Sequence, residues 1–303
     1  MVDNGSSDHT AVVARRYGQQ LQLVYVAAPE PGLHVGRHAG MRQARSRILM
    51  FADDDIEAEP TWVDAVTGAF RDPAVVLVGG NNLPRFESAP PPWLLELWQA
   101  GEGNRRMVGH LSVSHLGEGS FEIDAEDVWG CNFSIRREAL LEAGGFHPDA
   151  MPTDLLRYRG DGETHISRWI NAAGKKVLFA SLASVHHWVP DDRMTPDYFC
   201  RRYFAQGISA SYSAIRSNRG LLSRRQLLRH QIDFVRYYSR YKTVAWLGGT
   251  AGMSKDLALI MASARKAHRA GFRFHQDEAA GSPELMAWIL KPDYFSARSG
   301  SHG

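Results

Sequence analysis

The chain has 303 residues, a formal net charge of +2, and 44% hydrophobic and 22% charged residues, a balance that excludes a disordered or fibrous chain and leaves room for one large domain or two modest ones. Two cysteines, Cys131 and Cys200, exclude a disulfide framework and a cysteine metal site, and they fit a reducing cytoplasm. No apolar stretch reaches the roughly 18 residues of a membrane span; the nearest, 243–253, is closed off by Lys255 and Asp256.

Asp3-Asn4-Gly5-Ser6-Ser7-Asp8 is a turn cluster with almost no element ahead of it. Residues 10–17 read as a helix, and Leu21-Gln22-Leu23-Val24-Tyr25-Val26 as a strand broken by Pro29, Pro31 and Gly32. A helix rich in small and basic residues is expected over 36–47. Ile48-Leu49-Met50-Phe51-Ala52 is an apolar run with the character of a buried parallel strand, and it ends on three carboxylates, Asp53, Asp54 and Asp55. In open α/β sheets that end of a strand is where ligands bind. Three neighbouring carboxylates repel one another, and a divalent cation with oxygen ligands would hold them. An acidic turn leading into a helix at 61–70 accounts for the same pattern.

Val75-Val76-Leu77-Val78 with Gly79-Gly80 is a further buried strand, and strands alternating with helices at this spacing predict an α/β, doubly wound, mostly parallel sheet. Residues 84–120 read as an irregular excursion. Order returns over 129–135, and a helix is expected at 137–143 stopped by Gly144-Gly145, a helix at 163–173 stopped by Gly174, and a short strand at 177–179. Beyond Pro190 the pattern turns helical and basic, with sixteen Lys or Arg against three Asp or Glu from Arg193 to Arg273. The Gly/Ser-rich end from Ser296 reads as disordered.

Several segments together resemble the family 2 glycosyltransferases of the GT-A fold. They are Val2-Asp3-Asn4-Gly5-Ser6-Ser7-Asp8; Gly36-Arg37-His38-Ala39-Gly40; the Asp-x-Asp-like Phe51-Ala52-Asp53-Asp54-Asp55; Gly130-Cys131-Asn132-Phe133-Ser134-Ile135-Arg136-Arg137 with Gly144-Gly145-Phe146; Gly160-Asp161-Gly162-Glu163-Thr164 with Arg168 and Gly174; and Val185-His186-His187-Trp188. Each is weak alone, but their order and spacing over residues 2–207 are specific. The resemblance implies a metal-dependent, inverting transfer of a sugar from a nucleotide-sugar donor to a hydroxyl of a glycan or lipid-linked acceptor, with Mn²⁺ or Mg²⁺ as cofactor. It implies Asp53 toward the ribose with Asp54 supporting it, Asp55 on the metal, Asp3 near base and ribose, and Arg37 on the uracil or phosphate side. It also implies a catalytic base at Asp161 or Glu163, with Asp161 preferred, and His187 at the metal or diphosphate. Adjacent strand residues face opposite ways, so only one of His186 and His187 can face the site.

The predicted organisation is a GT-A-like domain over 1–192, a basic helical extension over 193–295 and a tail at 296–303. The extension, with Arg201, Arg202, Arg224, Arg225, Arg229, Arg236 and Arg240, would suit an anionic membrane surface on the cytoplasmic side; no nucleic-acid reading module is visible. Members of the family carry a strand and a helix ahead of the Val2–Asp8 segment. The resemblance therefore implies upstream sequence encoding them, without which the donor pocket lacks one wall and two strand edges stand unpaired. The rivals are an inactive scaffold of the same fold and a nucleotidyltransferase.

Overall fold

Alternation along β3 (Ile48–Ala52) sets the layering of the molecule. Leu49 and Phe51 point into one apolar cluster with Met41, Leu77, Phe133, Ile135, Leu140, Phe146 and Ile166. Ile48 and Met50 point into another with Val66, Phe70, Val75 and Val78. Successive side chains of a strand face opposite sides, so a strand apolar throughout needs cover on both. The computed structural model describes residues 1–101, 103–229, 232 and 253–295. In it, α2 (Leu33–Gln43), α5 (Arg137–Glu142) and α6 (Thr164–Ala172) cover the first face and α3 (Trp62–Ala69) the second.

The remaining strands are β1 (Val2–Asp3), β2 (Val26–Ala27), β4 (Ile56–Ala58), β5 (Val75–Gly79), β6 (Asn82–Phe86), β7 (Arg106–Val108), β8 (Val113–His115), β9 (Ser120–Glu122), β10 (Asn132–Arg136), β11 (Lys176–Ala180) and β12 (Val185–Val189). They form a five-stranded sheet of order β3-β10-β5-β11-β9, a second of order β4-β12-β6-β8-β7, and the pair β1-β2. The α/β class agrees with expectation. The strand directions are more mixed than expected: among the described residues three ladders are parallel and six antiparallel. The reason is the 84–131 stretch. Instead of a loose loop it contributes β7, β8, β9 and α4 (Pro92–Gln99), and it returns the chain to the far end of the sheet. β10 therefore enters between β3 and β5 antiparallel to both.

The helix expected at 10–17 is α1 (Thr10–Tyr17). The strand expected over 21–26 shrinks to β2, because β1 offers only two residues to pair with. Residues Arg236 and Arg240 and the 296–303 tail lie outside the described residues.

The C-terminal part is helical as expected. α7 (Pro196–Asn218) and α8 (Lys255–Gly281) cross where neither has a side chain. A Cβ on Gly207 would lie 2.0 Å from the His268 carbonyl oxygen, and one on Gly271 2.0 Å from that of Phe204. Glycine is what permits this backbone approach. α9 (Pro283–Ile289) follows, its N-cap Ser282 accepting from the Leu285 N–H.

Three histidines lie in or near this helical part, His147 and His275 buried and His110 half-buried. His275 accepts from or donates to Ser211 Oγ at 2.8 Å through Nδ1 and faces the Arg157 carbonyl at 3.1 Å through Nε2. His110 stacks on Tyr203 at 3.8 Å. Burial pushes His275 down to about 4, His110 to about 3 and, against the pull of Asp161, His147 to about 4. An unfolded histidine takes a proton near 6.5. Below that pH the unfolded chain binds protons that the folded chain refuses, so stability is lost as pH falls from about 6.5 toward about 4. The melting temperature should drop steeply over this window, and His275→Gln should flatten the dependence relative to wild type.

Candidate active site

β10 runs antiparallel to β3 with Asn132 opposite Ala52, so the residue entering β10 lies beside the residue leaving β3. That sets Cys131 opposite Asp53, and Gly130, one residue earlier, leaves room beside them. Arg37, on α2, projects into that room and is only 8% exposed. Its Nη2 lies 3.4 Å from Asp53 Oδ1 and its Nη1 3.3 Å from Glu163 Oε2. The Gly130 N–H donates to the other oxygen, Glu163 Oε1, at 3.1 Å. The guanidinium also sits 5.0 Å above the Phe146 ring. A Cβ on Gly130 would come within 2.3 Å of Arg37 Nη2, so the guanidinium occupies space that only glycine leaves. Burial works against the charge on Arg37, but Glu163 and Asp53 outweigh it and raise its pKa. Burial raises the pKa of Asp53 despite Arg37.

The two acids of the Gly160–Thr164 turn have different surroundings. Between them Gly162 takes φ +57°, and a side chain there would collide with Asp149. Glu163 faces Arg37 and Asp53. Asp161 turns the other way, with Oδ1 2.6 Å from His147 Nδ1 and Oδ2 accepting from Ser213 Oγ at 2.7 Å. Arg168 Nη1 stands 3.7 Å away. Burial would raise Asp161, but the bonds from His147 and Ser213 hold it below the usual carboxylate range. Asp161 is thus an ionised, saturated group inside the fold. Neither His147 nor Ser213 carries a sequence signal, since Ser213 lies on α7, 52 residues away.

β12 pairs with β4, and the Trp188 N–H donates to the Asp55 carbonyl at 2.8 Å. This sets His187 Nε2 3.4 Å from Asp55 Oδ1, while His186 faces the other way onto Glu59 at 2.7 Å. Asp55 Oδ1 and His187 Nδ1 are buried and make no hydrogen bond. Burial lowers His187 in spite of Asp55, favouring the neutral imidazole that ligates metals. Among the described residues no group of three or more His, Cys, Asp or Glu is placed to hold a metal. Two ligands of one octahedral ion with bonds near 2.1 Å stand ~3.0 Å apart, close to the Asp55–His187 separation. Sequence reasoning missed Arg193, whose Nη1 donates to Asp55 Oδ2 at 2.9 Å. It sits in a one-turn 3₁₀ segment after β12 that has no periodicity to read.

Asp54 is exposed at the strand tip. Asp3 is buried at the end of β1, its carboxylate accepting from the Tyr25 hydroxyl and, at 2.7 Å, from the Ser6 N–H. These bonds, that of Tyr25 first, lower its pKa. A cleft of about 460 Å³ opens between β1, α2 and β3, lined by Val2, Asn4, Gly36 and Met50, and reaches Arg37 and Asp53. Among the described strands β1 pairs only with β2, and β3 is terminal in its sheet, which leaves an unpaired edge on each.

Residues 1–143 match the family described as Glycosyl transferase family 2. A glucosyl-dolichyl phosphate glucuronosyltransferase of Haloferax volcanii is 24% identical over 181 residues, 59% of this chain and 54% of that protein. The succinoglycan biosynthesis protein ExoM of Rhizobium meliloti is 20% identical over 213 residues, 68% of this chain and 60% of that protein. The chain thus spans little more than half the length of these curated relatives. Among solved structures, GalNAc-T7 with UDP, GalNAc and Mn²⁺ aligns at 16% identity and a TM-score of 0.41, over 62% of this chain and 36% of that one.

Gly130→Ala drives a methyl group into the Arg37 guanidinium. It should separate the cation from its two carboxylates at a cost of about 1–3 kcal/mol, read as a lower melting temperature at neutral pH. Because burial already raises the pKa of Asp53, the deficit should shrink as the pH is lowered.

Proposed function

We propose, from the match of residues 1–143 to the family described as Glycosyl transferase family 2, that this chain transfers a sugar from a nucleotide-sugar donor to an acceptor hydroxyl with inversion at the anomeric carbon. The observation that carries the reading is the placement of Glu163, held by the Gly130 N–H and facing Arg37 and Asp53 where β3 ends and β10 begins. A hydroxyl attacks poorly until a base removes its proton during the attack. Glu163 takes that proton as the acceptor oxygen bonds to the anomeric carbon and the bond from that carbon to the diphosphate breaks. Attack opposite the leaving group inverts the centre. Arg37 turns from Glu163 to the diphosphate, Asp53 meets the ribose with Asp54 beside it, and Asp3 lies toward the nucleoside. Asp161 holds the turn that aims Glu163.

Asp55 and His187 would hold Mn²⁺ or Mg²⁺. Two protein ligands suit a hard cation that takes its other oxygens from substrate phosphates and water, and the unbonded Asp55 Oδ1 supports this. When bound, such an ion neutralises the charge that develops on the departing diphosphate. A glycan or lipid-linked acceptor is supported by the names of the relatives. Exposed Arg201, Lys266, Arg269 and Arg273 favour an anionic membrane surface near it. Among the described residues no helix is long and apolar enough to cross a membrane.

Hydrolysis of a panel of nucleotide sugars, with and without Mn²⁺, tests the reading; a folded chain that turns over none of them overturns it. Glu163→Gln should lower kcat by about 10²–10⁴-fold. Asp161→Asn should mainly lower the melting temperature, as His147 and Ser213 lose an ionised acceptor. The opposite pattern would move the base to Asp161. Asp55→Ala should remove the Mn²⁺ dependence of nucleotide binding, measured by calorimetry, and leave the circular dichroism spectrum unchanged.

A further inference from the structure

The last described residues reach back to both arms of the site. On α2, His34, His38 and Arg42 are spaced by four and share one face, the face turned to the C-terminal segment. Arg42 Nη2 donates to the Phe295 carbonyl at 2.8 Å, and the Arg42 guanidinium lies 4.8 Å from the Phe295 ring centre. The Phe295 ring meets His38 edge-on at 5.2 Å. His38 Nε2 in turn accepts from the Phe146 N–H at 2.9 Å, and the Phe146 ring lies under Arg37. Two glycines make the seat: a Cβ on Gly145 would stand 3.0 Å from Phe295 Cβ and one on Gly144 3.3 Å from Asp293 Cβ.

The neighbouring residue serves the other arm. Tyr294 is buried, its hydroxyl donating to the Trp288 carbonyl at 2.6 Å and accepting from Tyr212 at 2.9 Å. Both rings meet His147 edge-on, Tyr294 at 5.4 Å and Tyr212 at 5.5 Å, and His147 holds Asp161. Tyr212 also packs against Gly160 so closely that a Cβ there would lie 3.0 Å away. Arg216 fixes the segment from α7 by donating to the Ile289 and Lys291 carbonyls, each at 2.6 Å.

We propose that Tyr294 and Phe295 are positioning residues for the transfer reaction: Phe295 sets Arg37 through α2 and His38, and Tyr294, through its hydroxyl bond with Tyr212, sets His147 and Asp161 and with them Glu163. This rests on the glycosyltransferase reading above. A segment that merely closed the core would contact one element or the other. Here Phe295 packs on Arg42 and His38 of α2, whereas Tyr294 meets His147 beside the acid turn at 5.4 Å and, more distantly, His34 of α2 at 6.2 Å, and neither touches the reacting groups.

The two roles predict different kinetics in the 303-residue chain. Phe295→Ala should raise the donor KM about tenfold with little change in kcat, and Tyr294→Phe should lower kcat about tenfold with little change in KM, as misplacement by a fraction of an ångström does. Phe295→Leu, which keeps apolar volume without the ring, serves if the alanine variant unfolds. Amide hydrogen exchange is read in parallel. Faster exchange confined to α2 in the Phe295 variants, and to residues 160–164 in Tyr294→Phe, supports the proposal even if no nucleotide sugar is turned over; in that case the functional reading alone fails. Folded variants with wild-type exchange at both places, or with KM and kcat changed in the same proportion by both, overturn it.

Discussion

One buried cation organises this molecule. Asp53 at the tip of β3 and Glu163 at the start of α6 converge on the same space, and two carboxylates so placed repel each other in a medium that screens poorly. Arg37 lies between them at 8% exposure. A guanidinium stays protonated under such conditions and offers a planar fork of donors, which a lysine would not. Removing either partner of a buried pair leaves an uncompensated charge, so the arrangement constrains its neighbours. Gly130 must lack a side chain, Phe146 must lie flat beneath the guanidinium, and α2 must keep its rotation about its own axis.

The Asp55 corner follows a different logic. Here a carboxylate is shared between Arg193 and His187, and one of its oxygens makes no hydrogen bond. A buried acceptor without a partner is costly unless something else meets it. The Arg37 corner is electrostatically closed by the protein itself, whereas the Asp55 corner is left open. The first has its charges paired within the fold; the second keeps a buried acceptor that the fold does not satisfy.

Much of this could be read from local pattern. The strand at 48–52 with its aspartate tip, though not its pairing, which is antiparallel rather than parallel, the helix over residues 10–17, the glycine-stopped helices expected at 137–143 and 163–173, and the opposite facing of His186 and His187 all depend on residues close in sequence. What could not be read depends on distant ones. Insertion of β10 between β3 and β5 was hidden because an antiparallel entry leaves no mark in an apolar strand. The distinction between Asp161 and Glu163 turns on the positive φ of Gly162 and on what lies either side of it, Ser213 from α7 and Arg37 from α2. The expected strand over 21–26 failed for want of a partner long enough to pair with it.

The contact between Arg42 and Phe295 joins residues 253 apart in sequence. Loop-closure entropy grows slowly with length, so the thermodynamic penalty of so long a closure is modest, but contacts of this separation form late in folding. During synthesis, which runs from the N-terminus at about 5–20 residues per second, α2 and the acid turn emerge long before the segment that seats them. The strands around Asp53 can pair early, but the finished geometry of Arg37 and Glu163 must wait until residues 288–295 have been made and seated. Assembly of the site is thereby coupled to synthesis of a segment 253 residues downstream of Arg42 on α2.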